Sequence, residues 1–178
     1  MDIFKTIWPH LQTIEGVNID LARIADAEPI GRLSRKYIET GLPGWVWDPG
    51  KVSESIWCPD SLVLVGRKQK EVIASAIIKF SRQSAHLNLL VIAEGFRRLG
   101  IGSCLLGFLE NASFLYGKTL VNLEVRANNE SAMAFYLALG YRKIKVLSKY
   151  YHNGENAIQM SRNIRVQPSA RITLPNSF

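Results

Sequence analysis

The sequence predicts an α/β domain, a mixed and twisted sheet with helices on both faces. Three observations carry this. Short β-branched runs with strand-like alternation recur along the chain. Between them lie longer segments whose apolar residues fall at helical spacing. One strand also runs directly into a helix through the turn Arg97-Arg98-Leu99-Gly100-Ile101-Gly102. With 178 residues, 47% hydrophobic and 21% charged, the chain holds enough apolar material for one good core, and a second full domain is not expected.

Residues 1–16 read as a lead-in containing Ile7, Trp8 and Leu11. Val17 to Ile24 alternates apolar and polar residues as a strand does. Asp26 is placed to cap a helix with Ile30, Leu33, Tyr37 and Ile38 on one face and Gly41 as its stop. From Gly41 to Pro59 the chain is rich in Gly, Pro and Trp, with a short helix around Val52 to Ile56. Trp45, Trp47 and Trp57 fit either a lid over a substrate or a cover for the core. Ser61 to Arg67 and Glu71 to Phe80 form a hairpin about Lys68-Gln69-Lys70, and His86 to Ile92 is a further strand. Gly102 to Tyr116 carries Leu105, Leu106, Leu109, Ala112 and Leu115 at helical spacing and stops at Gly117. Leu120 to Val125 is a strand and Ser131 to Leu139 a helix ending at Gly140. Tyr141 to Leu147 and Asn156 to Ser161 close the domain, which spans 17–164, and a loosely ordered tail covers 165–178.

Composition narrows the functional classes. The longest apolar runs are far shorter than the roughly 20 residues of a membrane helix. The N-terminus lacks the charged, apolar and small-residue regions of an export signal, so a soluble, cytoplasmic protein with no membrane partner is expected. Cys58 and Cys104 stand apart, outside any C-x-x-C pair, and read as core thiols; no metal site is expected. The net charge of +7 favours anionic partners. From Arg142 onward seven basic residues stand against Glu155 alone, which suits a solvated face or a surface for an acidic or RNA-rich partner.

The turn at Arg97 to Gly102 has the chemistry of a phosphate site. Amides at a helix start carry unpaired N–H groups and the positive end of the helix dipole. Gly100 and Gly102 let a ligand approach the backbone, while Arg97 and Arg98 add positive charge. A dinucleotide fold would want G-x-G-x-x-G after the first strand, and a P-loop would end in Gly-Lys-Ser/Thr; neither is present.

Arg97-x-x-Gly100-x-Gly102 resembles the acetyl-CoA signature of the GNAT superfamily of N-acetyltransferases. The likeness extends through Leu123-Glu124-Val125-Arg126-Ala127-Asn128-Asn129, Ala132, Phe135-Tyr136, Leu139-Gly140-Tyr141, Tyr150-Tyr151 and Gly154-Glu155-Asn156-Ala157. These blocks are similar to the RimI-like branch, the ribosomal-protein N-terminal alanine acetyltransferases, from about His86 to Asn163. The N-terminal half carries no matching motif. The resemblance implies a mostly antiparallel GNAT sheet splayed at its centre, with acetyl-CoA as acetyl donor and CoA as product.

The same resemblance implies the site residues. The pantetheine arm would lie along Leu90 and Ile92, whose backbone is freed by the splay, with the Leu90 N–H on the thioester oxygen. The diphosphate would sit on Arg97, Arg98, Leu99, Gly100, Ile101, Gly102 and Ser103, and Asn129 would touch the cofactor. Glu124 is the implied base, acting through water, and Tyr136 the acid that protonates the leaving thiolate. Taken alone, Glu124 fits an outward strand residue paired with Arg126, and Tyr136 fits a core aromatic. Tyr150 and Tyr151 line the acceptor entry in the resemblance or pack a strand.

An α-amine, with a pKa near 8, is about one-tenth neutral at pH 7, whereas a lysine amine is neutral at only about one part in several thousand. A terminal amine thus asks less of the base, and the resemblance of the Glu124, Tyr136 and Tyr150-Tyr151 blocks implies as acceptor the N-terminal α-amine of a protein or peptide, with a ribosomal protein as a candidate partner and no direct nucleic-acid binding. Acetylation of a small amine of the polyamine or antibiotic type, or a non-catalytic CoA-binding module on ribosome or RNA, are the alternatives. A monomer or a homodimer is expected. An acetyl-Cys route through Cys104 is not, because no His lies near it in sequence.

Overall fold

A computed structural model describes residues 12–41, 43–44 and 46–165. Eight strands form one sheet: β1 (Gln12–Ile14), β2 (Val17–Leu21), β3 (Ser61–Lys68), β4 (Glu71–Phe80), β5 (Ala85–Ile92), β6 (Leu120–Arg126), β7 (Arg142–Leu147) and β8 (Ala157–Asn163), in the order β1-β2-β3-β4-β5-β6-β8-β7. The helices are α1 (Ala27–Tyr37), α2 (Pro49–Trp57), α3 (Ile101–Leu115) and α4 (Glu130–Ala138). Of the loose tail expected over 165–178, residues 166–178 lie outside the described residues.

Period-two alternation becomes two cores. Leu62, Leu64, Ala76, Ile78 and Leu87 point to one side of the sheet, where α3 contributes Leu105, Leu106 and Leu109 and α4 adds Tyr136. Val63, Val65, Ile77, Leu89 and Val91 point to the other and meet Ile30 and Leu33 of α1 and Val52 of α2. Each fully buried aliphatic side chain contributes about 1.5–3 kcal/mol. In the first core, Glu110 of α3 is 1% exposed. Its carboxylate takes the Tyr141 hydroxyl at 2.9 Å and Arg162 of β8 at 2.9 and 3.1 Å, so the buried charge is paired and hydrogen-bonded.

Several local details differ from the sequence reading. β1 falls within the stretch read as lead-in; it is three residues long and pairs with β2 through the turn Glu15-Gly16, too short for a period to register. The strand starting at Val17 ends at Leu21, and Ile24–Asp26 is a 3-10 turn. Asp26 precedes α1 but makes no side-chain cap; its Oδ2 instead takes the Arg23 amide at 2.6 Å and Arg67 at 2.5 Å. α1 ends at Tyr37, ahead of Gly41, because the next residues fold onto a buried carboxylate. Glu39, 2% exposed, accepts from Ser34 Oγ at 2.9 Å and from the amides of Val46 and Trp47 at 2.6 and 3.1 Å. Trp47 packs against the α1–α2 core, Trp57 is 76% exposed, and Trp45 lies outside the described residues.

The central feature is the seam between β5 and β6. These parallel strands pair only at Ala85 with Val121 and His86 with Asn122. Beyond that point β5 carries a bulge: Ile78 faces Leu87 and Ile77 faces Leu89, leaving Asn88 without a partner on β4. A bulge bends and twists its strand, and from here to its end β5 makes no pairing with β6. The sheet is therefore splayed at its centre.

Candidate active site

The splay exposes backbone on the β6 side of β5. Ala93 donates to Ile73 on the β4 side at 2.8 Å. Amide direction alternates along a strand, so the Leu90 and Ile92 amides point into the gap. The Ile92 carbonyl accepts from Arg97 Nε at 3.1 Å, and the Arg97 guanidinium lies 5.5 Å from the centre of the Tyr37 ring. At this end of the gap stands the N-terminus of α3.

Gly100 caps α3 with φ +79°, and Arg98 just before it has φ +65°. No side chain caps the helix, so the amides of Ile101, Gly102 and Ser103 have no helical acceptor. The two glycines serve different ends. Gly100 is required by its left-handed backbone. A Cβ at Gly102 would stand 3.2 Å from Ile92 Cδ1 and 3.4 Å from the Phe135 ring, so this glycine lets α3 approach β5 and α4. Leu99 is 39% exposed beside the turn. Asn129 lines the groove, and its Oδ1 caps α4 through the Ala132 amide at 3.0 Å.

On the far side of the gap lies Glu124 of β6, its side chain 10% exposed. The parallel register puts His86 and Asn122 on one face, and Glu124 two residues on shares it. His86 Nε2 stands 2.8 Å from Glu124 Oε2. Directly across the antiparallel ladder, Gln159 Nε2 donates to Glu124 Oε1 at 3.0 Å. Burial acts to raise the pKa of this carboxyl, but the contacts with His86 and Gln159, with a smaller one from Tyr150, outweigh it and hold Glu124 below the ordinary carboxylate value.

The Glu124–Arg126 pair open in the sequence is absent. Arg126 turns instead to Glu155, with Nε 3.4 Å from Oε2, and to the Thr40 carbonyl at 3.2 Å, with its guanidinium 5.7 Å from the Tyr151 ring centre. One side chain thus joins the loop after α1 to the β7–β8 loop.

Tyr136, Tyr150 and Tyr151 converge on the same groove, about 500 Å³ in volume, which Tyr37, Val46 and Trp47 also line. Burial, reinforced by Tyr151, pushes the Tyr136 phenol well above its ordinary pKa. Tyr151 is pushed up to about 12, mainly by burial, and the half-exposed Tyr150 is raised by burial and by Glu124. Tyr150 and Tyr151 meet edge to face at 5.1 Å. The arrangement sets an ionised carboxylate and protonated phenols around a cleft floored by free backbone amides.

His86, Gln159, Glu39 and the Arg126 link are missing from the sequence reading. Alternation signals that His86 and Gln159 each face one side of a strand, but nothing local to either names its partner. Cys104 is partly buried on α3, where burial pushes its thiol up to about 11. Among the described residues, no three His, Cys, Asp or Glu side chains gather as a metal site, and no helix is long and apolar enough to cross a membrane.

Comparison with known proteins bears on the family and the fold. An N-alpha-acetyltransferase of Sulfurisphaera tokodaii is 38% identical over 80 residues, 44% of this chain and 48% of that protein. The chain spans about half the length of the curated relatives it matches. The crystal structure of Ard1 from Thermoplasma volcanium aligns with a TM-score of 0.73 at 25% identity, covering 83% of this chain and 97% of that one. That of the ribosomal-protein-S18-alanine N-acetyltransferase from Escherichia coli aligns with a TM-score of 0.71 at 24% identity, covering 83% and 94%, and shares the fold. Residues 32–141, more than half of the chain, match the acetyltransferase (GNAT) family, and the chain belongs to that family.

Proposed function

We propose that the protein transfers an acetyl group from acetyl-CoA to the N-terminal α-amine of a protein or peptide. The observation that carries this is Glu124, a carboxylate held ionised at the edge of a gap whose other side offers the free amides of Leu90 and Ile92. The relatives named for N-alpha acetylation support the choice of amine. A ribosomal protein is one candidate acceptor.

The residues present fit acetyl-CoA. The uncapped turn from Arg97 to Ser103 offers three amides and two guanidinium groups to a diphosphate, and a strand-like arm suits the unpaired edge of β5. When bound, acetyl-CoA supplies an acetyl thioester. Asn129 lies at the α4 start to contact it.

The chain's own groups then divide the work. Leu90 N–H donates to the acetyl oxygen, in a site where a fixed dipole acts with little solvent screening. Glu124, oriented by His86 and Gln159, takes a proton from the incoming ammonium through water, leaving the nitrogen lone pair free to attack the acetyl carbon. The C–N bond forms and the C–S bond breaks. Tyr136, kept protonated by burial, gives its proton to the departing sulfur and takes up the second proton that the nitrogen sheds as it becomes an amide, while Glu124 returns the first to solvent. Tyr150 and Tyr151 line the entry and hold the acceptor backbone.

The test is acetyl transfer to two peptides of one sequence, one with a free and one with a blocked N-terminus, followed by mass spectrometry. Acetylation of the free peptide alone is expected; equal labelling of both overturns the terminal-amine reading.

A further inference from the structure

The sheet face that carries Glu124 changes character along its width. Over β3, β4 and β5 it is covered by α1 and α2. Over β6, β8 and β7 it is polar, and register identifies its residues. Glu124 stands opposite Gln159, and Gln159 opposite Lys145; Asn122 stands opposite Ser161, and Ser161 opposite Arg142. Lys79, the β4 partner of His86, continues the face on the near side.

Lys79, Arg142 and Lys145 are all exposed. The ion pairs among the described residues use Arg32, Lys51, Arg67, His86, Arg126 and Arg162, and none of these three. Segments 1–11 and 166–178 contain a single acidic residue, Asp2.

We propose that this face is an exosite for the acceptor: with its α-amine at Glu124, an acidic segment of the same polypeptide crosses β8 and β7 against Lys145 and Arg142. The proposal rests on the acceptor reading above and names the acceptor's class, a chain with carboxylates shortly after its N-terminus. Two strand spacings put the Lys145 backbone about 10 Å from that of Glu124, and an extended residue covers about 3.3 Å, so the carboxylates fall around the third to sixth acceptor residues. A few cations beside the reacting groups suit such a segment; a nucleic acid calls for a longer basic track, of the kind that neutralises roughly 6–10 phosphates.

The experiment compares two peptides with the same first two residues, one bearing Asp and Glu at positions three to six and the other Asn and Gln. The acidic peptide is expected to show a kcat/KM about fivefold higher at low salt, carried by KM, as two or three exposed ion pairs allow. That ratio is expected to fall to about one in 0.5 M salt and in R142E/K145E, and to persist in R32E on the outer face of α1. Direct binding of a labelled acidic peptide, read by fluorescence anisotropy, gives a second measure independent of turnover. Acetylation of both peptides at equal rates overturns the exosite and leaves the acetyl-transfer reading standing. Binding of the acidic peptide that weakens in R142E/K145E, with no acetylation of any peptide, supports the exosite while sinking the transfer reading. Single-stranded RNA bound more tightly than the peptide, and lost in the same variant, overturns the proposal in favour of RNA.

Discussion

His86 Nε2 lies 2.8 Å from Glu124 Oε2, a contact that links the last paired position of β5 to the strand from which it then departs. Opposing effects meet at this carboxyl: burial favours its neutral form, and the His86 and Gln159 contacts favour the ionised one and prevail. Glu124→Gln removes the proposed proton acceptor and is expected to lower kcat by about 100-fold or more with a small change in the KM for acetyl-CoA. His86→Ala leaves burial less opposed, so the acidic limb of the kcat/KM profile should move to higher pH. The sign for stability follows. A carboxyl held below its unfolded value, near 4.3, contributes stability above that pH and loses it as the pH falls through the folded value, so His86→Ala should diminish the gain in stability between acid and neutral pH. Denaturant titrations at several pH values check this, and an unmoved acidic limb counts against Glu124 as base.

Tyr136 titrates far above its ordinary range because it is buried next to Tyr151. As the proposed proton donor it stays protonated at every usable pH, and Tyr136→Phe should reduce kcat by about 10- to 100-fold without creating or moving a basic limb below pH 10. Unaltered turnover would assign this ring to packing alone, where it already meets Tyr141 edge to face at 5.5 Å.

Arg126 joins the loop after α1 to the β7–β8 loop through Thr40, Glu155 and Tyr151. Arg126→Ala should raise the KM for peptide several-fold and leave that for acetyl-CoA unchanged, since the linked loops lie on the proposed acceptor side. Arg126→Lys keeps the charge without the planar guanidinium and should recover only part of the loss. Equal rises in both KM values would contradict the assignment.

Gly100 sits at φ +79° with Ile14 Cδ1 3.3 Å from the position a Cβ would take. Gly100→Ala should cost about 1–2 kcal/mol of stability and weaken CoA binding, because the strained residue shifts the amides that follow it. Thermal melts with and without CoA separate the two effects.

Cys104 has its thiol pushed up to about 11 by burial, so almost none is thiolate at neutral pH. Brief iodoacetamide treatment at pH 7.5 should leave activity intact, and Cys104→Ala should turn over at close to the wild-type rate. Rapid inactivation that acetyl-CoA prevents would reopen an acyl-Cys route.

Much of the fold is legible in local pattern. Alternation along β3 and β4, the polar turn between them, and the glycine-rich passage from β5 into α3 each reflect backbone preferences that act over a few residues. The same local chemistry marks the amides of Ile101 to Ser103 as a candidate anion site, since a helix start has unpaired N–H groups whatever surrounds it. Resemblance, rather than period, singled out Glu124 and Tyr136.

Tertiary packing alone decides which side chains meet. Glu124 gains His86 across a parallel pairing of only two positions, with α3 intervening in sequence, and gains Gln159 across an antiparallel one. A strand's alternation tells which face a residue occupies but leaves its register open, and register depends on how α1 to α4 cover the sheet. The same holds for Glu39, whose partners Val46 and Trp47 come from an irregular loop, and for Gly102, whose missing side chain answers to Ile92 and Phe135 on two other elements. Faces are set by neighbours in the chain; partners are set by the free energy of closing the whole sheet.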